Sequence, residues 1–220
     1  MNINETKRYN LQRRWLIAIV SLCFVALIGG MIYSDFYAPL PTPKQPAFAA
    51  PGGQITPKTN EERAAYSVPP THPRELIIET LGINANIVAV GTLKDSTLDA
   101  PKTAWDAGWY DQSALPGVNT GALLLDGHVN DALNTPGVFY KLHTLKTGDI
   151  IKIERGDKQL FTYRVVTIEQ TPIEQVDMNK LLRPITSEKE GLNLITCGGT
   201  YDSTRKTYND RVLVYTERVS

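Results

Sequence analysis

The sequence predicts a mainly β fold, a closed or nearly closed barrel of short strands, preceded by one transmembrane helix. From about residue 73 to residue 220, short apolar or alternating segments recur between turn-forming residues, and helical signals are few. Near the N-terminus, one uncharged apolar run is long enough to cross a bilayer. Seven or eight strands in about 148 residues favour a barrel, because closure leaves no strand edge exposed.

The predicted transmembrane helix covers residues 15–34, twenty residues without a charged side chain. At ~1.5 Å rise per residue they would span about 30 Å, the thickness of the hydrocarbon core of a bilayer. Residues 1–14 carry four cationic side chains against one acidic side chain, which places this tail in the cytoplasm and the rest of the chain outside. One alternative, a buried core helix, rarely lacks all charge. The other, a cleaved signal peptide, is disfavoured because its candidate cleavage site at 47–49 lies well beyond the apolar run.

The segment between the predicted span and the predicted barrel, residues 35–72, is expected to be an extended stalk. Eight of the fourteen prolines of the chain fall within residues 39–72. Such sequences favour polyproline geometry and act as semi-rigid spacers. Thr59 to Glu62 have the form of a capping box, so a brief helix is expected there.

The charge distribution argues against nucleic-acid binding, and the spacing of possible ligand residues argues against a metal site. The formal net charge is zero and residues 1–14 carry +3, so the remaining chain carries −3 and lacks the broad basic surface that nucleic-acid binding requires. Histidines, cysteines and carboxylates do not cluster with the spacing of metal ligands. We therefore expect no nucleic-acid partner, no metal and no cofactor.

The predicted domain at residues 73–220 contains seven segments with strand patterns. Each alternates apolar and polar residues or is continuously apolar, and each is bounded by turn residues. Short helical turns are expected at 138–142 and 176–182, and a loop of thirteen residues at 198–210 is expected to join the last two strands. The seven segments read ELIIET, ANIVAVG, GALLLDGHV, DIIKIER, FTYRVVTI, LNLITC and RVLVYTERV.

Cys197 is the candidate nucleophile. The other cysteine, Cys23, lies inside the predicted span, so the two thiols cannot pair. A single unpartnered thiol is unusual outside the cell, where thiols are usually paired or absent. Cys197 follows an apolar strand and precedes Gly198 and Gly199, which leave space for an extended peptide. The alternative for Cys197 is a buried structural cysteine.

Two further residues could complete a site for acyl transfer, which needs an imidazole near the thiol and a donor for the oxyanion. His128 follows a buried strand, whereas His72 lies in the predicted stalk and His143 precedes a turn. Arg211 opens the last strand, and a hairpin-like connection would bring it beside Cys197. The alternative for Arg211 is a surface salt bridge.

The order and the strand context of these residues resemble the sortase family. Residues 193–197, NLITC, are similar to the family motif TLxTC, with Asn193 where the family usually has Thr. A histidine after LLLDG and an arginine that opens VLVYTE occupy the matching positions. The wider segments look most like the class F or class E branches, although Asp126 stands where a small residue is expected. The resemblance covers residues ~73–220.

The resemblance implies a membrane-anchored cysteine transpeptidase with an eight-stranded β-barrel. Such enzymes cleave an LPXTG-type C-terminal sorting signal between Thr and Gly and form a thioester. They then pass the acyl group to an amine, commonly of a peptidoglycan precursor or a pilin lysine. Cys197 would be the nucleophile, His128 the general acid/base and Arg211 the oxyanion stabiliser, with Arg205 a weaker contender. Thr196 would help to orient substrate. The partners would be surface proteins that bear a sorting signal, outside the cell membrane.

Two alternatives stay open beside this reading. The first is another cell-wall cysteine enzyme. Papain-like and NlpC-type peptidases place cysteine before histidine, however, and L,D-transpeptidases carry Ser-x-Gly-Cys, which Ile195-Thr196-Cys197 does not match. The second is a catalytically inactive exported β-domain that binds wall or pilus components. Labelling of Cys197 in the folded protein by a methanethiosulfonate reagent would favour an open site over a core cysteine.

Overall fold

Within residues 58–95, 97–131 and 133–220, which are those that the structure describes, eight strands form a closed barrel. The structure is a computed structural model. The strands are β1 (Pro73–Ile78), β2 (Ile83–Val90), β3 (Ala107–Tyr110), β4 (Ala122–Asp126), β5 (Ile150–Arg155), β6 (Leu160–Pro172), β7 (Gly191–Asp202) and β8 (Thr207–Arg218). Around the barrel their order is β1-β2-β3-β4-β7-β8-β6-β5. Two neighbouring pairs are parallel, β2 with β3 and β4 with β7, and the other pairs are antiparallel. The predicted mainly β barrel is thus confirmed.

The helices of the described residues are short. Their bounds are α1 (Asn60–Ala65), α2 (Met178–Leu181) and the 3-10 helices Glu79–Leu81, Leu142–Thr144 and Ile173–Gln175. The expected capping box begins α1, because the Glu62 N–H donates to Thr59 Oγ1 (3.2 Å) and the Thr59 N–H donates to the Glu62 carboxylate (2.7 Å). Among the residues described, no helix is both long enough and apolar enough to span a membrane. The predicted tail at 1–14, the predicted span at 15–34 and residues 35–57 of the predicted stalk lie outside them.

Alternation along the strands fills the barrel interior and explains why some strands are continuously apolar. On β4, β7 and β8, one set of side chains packs inside the barrel and the other set packs outside against α2 and its flanking residues. Strands covered on both faces have no exposed polar side, so ALLL and VLVY are apolar throughout. In LNLIT the buried Asn193 donates to the carbonyls of Leu181 (2.7 Å) and Arg183 (3.0 Å). The outer apolar cluster consists of Leu124, Leu181, Ile195, Leu213 and Tyr215.

Two sequence expectations about the strands are wrong. The segment AGWY was not expected to be a strand, yet β3 pairs with β2 and β4 and completes the barrel. The expected loop at 198–210 is a hairpin, since β7 continues to Asp202, β8 begins at Thr207, and a short turn joins them. The pairing shifts between Gly198 and Tyr201, where Gly199 adopts a φ of 73° and permits a β-bulge.

Residues 58–72, assigned by sequence to the stalk, contact the barrel. Lys58 forms a 2.8 Å ion pair with Asp106, which is buried in the segment before β3. The Tyr66 hydroxyl donates to the carbonyl of Ile87 in β2 (2.7 Å). The His72 ring meets the edge of a barrel tryptophan with ring centroids 5.1 Å apart. The end of the predicted stalk is therefore held against the barrel wall.

A buried carboxylate holds the start of β7 to the loop before β4. Glu190 is 2% exposed and accepts hydrogen bonds from the Tyr163 hydroxyl and from the N–H groups of Gly117 and Asn119, both at 3.0 Å. The Arg218 guanidinium lies 3.3 Å from the same carboxylate. These donors satisfy the buried charge, which would otherwise be costly.

Replacement of Glu190 with alanine is expected to lower the free energy of unfolding by about 3–5 kcal/mol, because it leaves a buried tyrosine hydroxyl, two N–H groups and a cation without their acceptor. Urea denaturation followed by circular dichroism would measure the change. Glu188→Ala is the matched control, since Glu188 is exposed two residues earlier, and it should change stability by less than about 0.5 kcal/mol. Equal effects of the two substitutions would contradict the anchoring role.

Candidate active site

Cys197 and Arg211 are directly opposite each other on paired strands. Cys197 lies in the interior of β7 rather than at a strand end, and its register partner on β8 is Arg211. The alternation that puts Ile195 and Leu213 in the outer cluster puts Cys197 and Arg211 on the same outer face. Directly opposite residues have Cβ atoms about 4.5–5.5 Å apart. The two residues are therefore neighbours across the strand pair, and Arg211 is near enough to lower the pKa of the Cys197 thiol.

Arg211 is oriented by main-chain acceptors of its own strand. Its Nη1 donates to the carbonyls of Asp210 (2.8 Å) and Tyr208 (3.0 Å), and its Nη2 donates to Thr207 Oγ1 (3.3 Å). Among the residues that the structure describes, no carboxylate forms a salt bridge with it. Arg211 does lie close enough to Glu174 to lower the pKa of that carboxyl, and its charge also acts on the Cys197 thiol.

His128 follows β4 on the side of the barrel where Cys197 lies. The parallel register places Asp126 opposite Ile195, and one residue further the Thr196 hydroxyl donates to the carbonyl of Gly127 (2.7 Å). His128 and Cys197 are the next residues on these two chains. Because β4 and β7 run in parallel and in register, the segments that carry His128 and Cys197 are neighbours.

A second contact secures the other side of the His128 segment. The Tyr208 hydroxyl of β8 donates to Asn130 Oδ1 (3.1 Å), two residues after the histidine. The Tyr208 ring packs against the edge of Tyr201 with ring centroids 5.4 Å apart. Burial raises the pKa of Tyr208, and the nearby Cys197 contributes to that rise. The segment that carries His128 is thus bonded to β7 on one side and to β8 on the other.

The hydrogen bond of the His128 ring defines which nitrogen is free. Nε2 lies 2.7 Å from the carbonyl oxygen of Pro101. A carbonyl only accepts, so Nε2 carries a proton and Nδ1 is the acceptor of the neutral ring. His128 can therefore take up a proton at Nδ1 while Pro101 holds the ring in place.

The pKa of the Cys197 thiol is raised by burial, which disfavours the thiolate. Arg211 opposes this effect and lowers the pKa, whereas the nearby Asp126 raises it. The thiol is half-buried and forms no disulfide. Thiolate formation in this site therefore depends on a cation beside the sulfur.

Asp126 is a half-buried residue whose carboxyl acts electrostatically on the thiol. Its Oδ1 is buried without a hydrogen-bond partner among the described residues and packs against Gly108, where an added Cβ would lie 2.1 Å from it. Burial raises the pKa of Asp126 well above the usual value, and the nearby charge of Asp99 raises it further. The carboxyl therefore stays protonated to higher pH in the folded protein than in the unfolded chain.

Asp126→Asn is expected to change the pH dependence of stability. The unfolded carboxyl ionises near pH ~3.9, while the folded carboxyl resists ionisation, so the wild-type protein loses stability as the pH rises from about 4 to the raised pKa. The asparagine variant cannot ionise and should lose less stability across that range. Unfolding free energies measured from pH 4 upward test this. Asp99→Asn should reduce the wild-type decline in part, and parallel curves for all three proteins would refute the assignment.

The remaining predicted residues lie as follows. Thr196 is 4% exposed and connects β7 to the carbonyl of Gly127; its part in orienting substrate stays a prediction. Arg205 is paired with Glu174 and, at 3.0 Å, with Asp202 near the tip of the hairpin; its part as an oxyanion stabiliser stays a prediction.

Residues that the sequence did not point out are Pro101, Asn130 and Tyr208. Each acts through a contact between distant segments, with Pro101 holding the His128 ring and the other two holding its segment. The only local signal was the position of Tyr208 close before Arg211. Among the described residues, no group of three or more His, Cys, Asp or Glu could hold a metal ion.

Several solved structures of similar fold are sortases. Sortase A of Corynebacterium diphtheriae, in a lid-mutant form, is 25% identical with a TM-score of 0.52, and the match covers 71% of this chain and 74% of that one. Sortase C-1 of Actinomyces oris is 23% identical with a TM-score of 0.50, covering 66% and 72%. A pilus-related sortase C of Group B Streptococcus is 19% identical with a TM-score of 0.53, covering 79% of both chains.

A family model gives the corresponding result at the level of sequence. No curated protein sequence matches the chain significantly. The model of the sortase domain, however, matches residues 76–219, which is well over half of the chain and nearly all of the barrel. With the barrel topology and the strand context of Cys197 and Arg211, this match shows that the chain belongs to the sortase family of cysteine transpeptidases.

Proposed function

We propose that this protein cleaves an LPXTG-like C-terminal sorting signal between Thr and Gly and transfers the new acyl end to an amine. The observation that supports the proposal most directly is the pairing of Cys197 with Arg211 on one outer face, beside the segment of His128. A thiol, an imidazole and a guanidinium are the groups that acyl transfer by cysteine requires.

In the proposed first half-reaction, Cys197 loses its proton to His128 Nδ1, the nitrogen that Pro101 leaves free. The sulfur attacks the threonine carbonyl carbon, and the carbonyl oxygen becomes an oxyanion that Arg211 stabilises. The C–N bond to glycine then breaks, and the leaving amine takes the proton from the imidazolium. The product is a thioester between Cys197 and the threonine carbonyl.

In the proposed second half-reaction, an amine attacks the thioester and gives its proton to His128. The C–S bond breaks and the imidazolium returns this proton to the sulfur, which regenerates the Cys197 thiol, so one peptide bond is exchanged for another without an oxidant or reductant. A thioester reacts readily with amines, which favours transfer over hydrolysis. The amine would belong to a peptidoglycan precursor or a pilin lysine.

The outer apolar cluster is buried and forms the wall of the barrel beside the thiol. Ile195 and Leu213 are two residues along their strands from Cys197 and Arg211 and lie on the same face. Residues 173–190, which include α2, cover this face beside the thiol.

The location of the enzyme is part of the same proposal. Residues 15–34 would anchor the chain in the cell membrane with the N-terminus in the cytoplasm and the barrel outside, where surface proteins with sorting signals are processed. The uncharged run between Arg14 and Asp35 supports this. Membership of class F or class E stays a prediction from the sequence.

A direct test uses the full-length protein with a synthetic LPXTG peptide, with and without triglycine. We expect intact-mass spectrometry to show the enzyme plus the peptide up to Thr, and the triglycine reaction to release a new peptide with a Thr–Gly junction. A peptide with the Thr and Gly positions exchanged is the control and should give neither product. A protein whose Cys197 reacts with a methanethiosulfonate reagent but not with any sorting-signal peptide would instead support a binding module.

A further inference from the structure

Glu174 is a carboxylate that lies near two arginines. It belongs to the 3-10 helix that follows β6. In the register of β6 with β8, Thr171 is directly opposite Arg211, three residues before Glu174. The Glu174 carboxylate forms an ion pair with Arg205, which lies in the turn between β7 and β8. The segment after β6 therefore brings an acidic side chain to the strand end that carries Arg211.

The Arg211 guanidinium is directed toward the same turn. Its Nη2 donates to the Oγ1 of Thr207 (3.3 Å), the first residue of β8 and two residues after Arg205. The pKa of Glu174 is lowered by a hydrogen bond to its main chain, by the contact with Arg205 and, more weakly, by the charge of Arg211. One carboxylate thus lies within the electrostatic reach of two guanidinium groups and is paired with Arg205.

Arg205 is held in the turn by a second carboxylate. Its Nε lies 3.0 Å from Asp202 Oδ2, and its main-chain N–H donates to Asp202 Oδ1 (3.1 Å). The N–H of Thr204 donates to the same oxygen (2.8 Å). The turn itself therefore positions the guanidinium, which presents Nη1 to Glu174.

A carboxylate paired with Arg211 would work against the proposed reaction. Burial raises the pKa of the Cys197 thiol, and the charge of Arg211 opposes that rise. An ion pair of Arg211 with Glu174 would offset this charge and would place an anion beside the developing oxyanion. In the structure, Arg211 instead donates to two main-chain carbonyls, while Arg205 forms the ion pair with Glu174.

We propose that Arg205 is a positioning residue for the acyl transfer, because it holds the Glu174 carboxylate away from Arg211. The inference rests on the proposed function for the role of Arg211 at the oxyanion, but its effect on the Cys197 thiol needs no sorting peptide. Arg205 and Glu174 are both exposed, so substitutions at either position should leave the fold intact.

The first test measures kcat/KM for an LPXTG peptide with variants of the full-length protein. Arg205→Ala should lower it about three- to tenfold, because the released Glu174 carboxylate can pair with Arg211. Glu174→Gln alone should have little effect, and the double variant should return close to the wild-type value. Arg205→Lys keeps the charge and should remain active. Arg164→Ala is the matched control, since it removes an exposed arginine that pairs with Glu217 (2.6 Å) at the other end of β8.

The second test is independent of the sorting reaction. The rate of alkylation of Cys197 by iodoacetamide reports the thiolate fraction, and peptide mass spectrometry across pH 6–10 measures it at this residue. In Arg205→Ala the midpoint of the profile should move to higher pH, because Glu174 would offset the charge of Arg211. The double variant should restore the wild-type midpoint, and Glu174→Gln alone should keep it.

Three results would overturn the proposal. A double variant as impaired as Arg205→Ala would mean that Arg205 acts directly and not through Glu174. Equal and opposite effects of Arg205→Ala and Glu174→Gln would mean that each charge acts independently at long range. An alkylation profile of Arg205→Ala that matches the wild type would exclude any effect on Arg211. If the wild type cleaves no sorting peptide, the proposed function fails, and the alkylation profiles still decide this inference.

Discussion

Cys197→Ala is expected to abolish acyl-enzyme formation with an LPXTG peptide, lowering turnover by on the order of 10⁴–10⁶-fold. No other described residue offers a thiol, and the substitution removes the atom that would form the thioester. Mass spectrometry of the mixed enzyme and peptide measures the adduct, and peptide cleavage assays measure turnover. The variant should fold, because a small half-buried side chain is replaced by a smaller one.

The matched control for this substitution is Cys23→Ala. It removes the only other cysteine, which lies far from the barrel in the sequence, and should retain full activity and one reactive thiol. Urea denaturation of both variants should agree with the wild type to within about 1 kcal/mol. Full turnover by Cys197→Ala would refute the assignment of the nucleophile, and loss of activity in Cys23→Ala alone would point to a different site.

His128→Ala is expected to lower kcat/KM by about 10²–10⁴-fold, the usual contribution of a general acid/base. Without the imidazole, the thiol has no acceptor for its proton and the leaving amine has no donor. The thiol should still be present and alkylated by iodoacetamide, so the loss would be in the transfer steps and not in folding. Kinetics of peptide cleavage across pH 5–9 would measure the effect.

Two further variants distinguish chemistry from position at His128. His128→Gln places an amide N–H where it can still donate to the carbonyl of Pro101, as the ring does at 2.7 Å, but it cannot carry a proton between groups. It should be as impaired as the alanine variant. His143→Ala is the matched control, since His143 is exposed on a 3-10 helix, and should remain active. Near wild-type activity of His128→Gln would limit the residue to a structural role.

The features that the sequence predicted well are those that depend on local pattern. Leu76 and Ile78 on β1, and Ile151 and Ile153 on β5, alternate into the core, and this alternation identified their strands. The positions of Cys197 and Arg211 on neighbouring strands could be inferred because only a connection of fewer than fifteen residues separates them. The location of these strands and the adjacency of the last two can therefore be predicted from local residue patterns and short connections alone.

The features that the sequence could not predict depend on contacts between distant segments. β3 is only four residues long and contains Gly108, so its strand character comes from pairing with β2 and β4 rather than from propensity. The contact of Lys58 with Asp106 joins residues 48 positions apart, and that of Tyr208 with Asn130 joins residues 78 apart. Neither pair has a sequence signature that distinguishes it from ordinary surface residues.

Cys197 and Arg211 lie on paired strands, whereas His128 lies beyond the end of its strand, so the two parts of the site differ in how easily their positions can change. The main chains of Cys197 and Arg211 are held by the pairing of two long strands, and Arg211 is oriented by carbonyls of its own strand, so little reorganisation of either side chain would be needed in the proposed reaction. His128 lies beyond the last paired residue of β4 and is held by side-chain contacts on either side. Substitutions that change the reaction rate, whether natural or engineered, should therefore act chiefly by changing the position of the His128 imidazole.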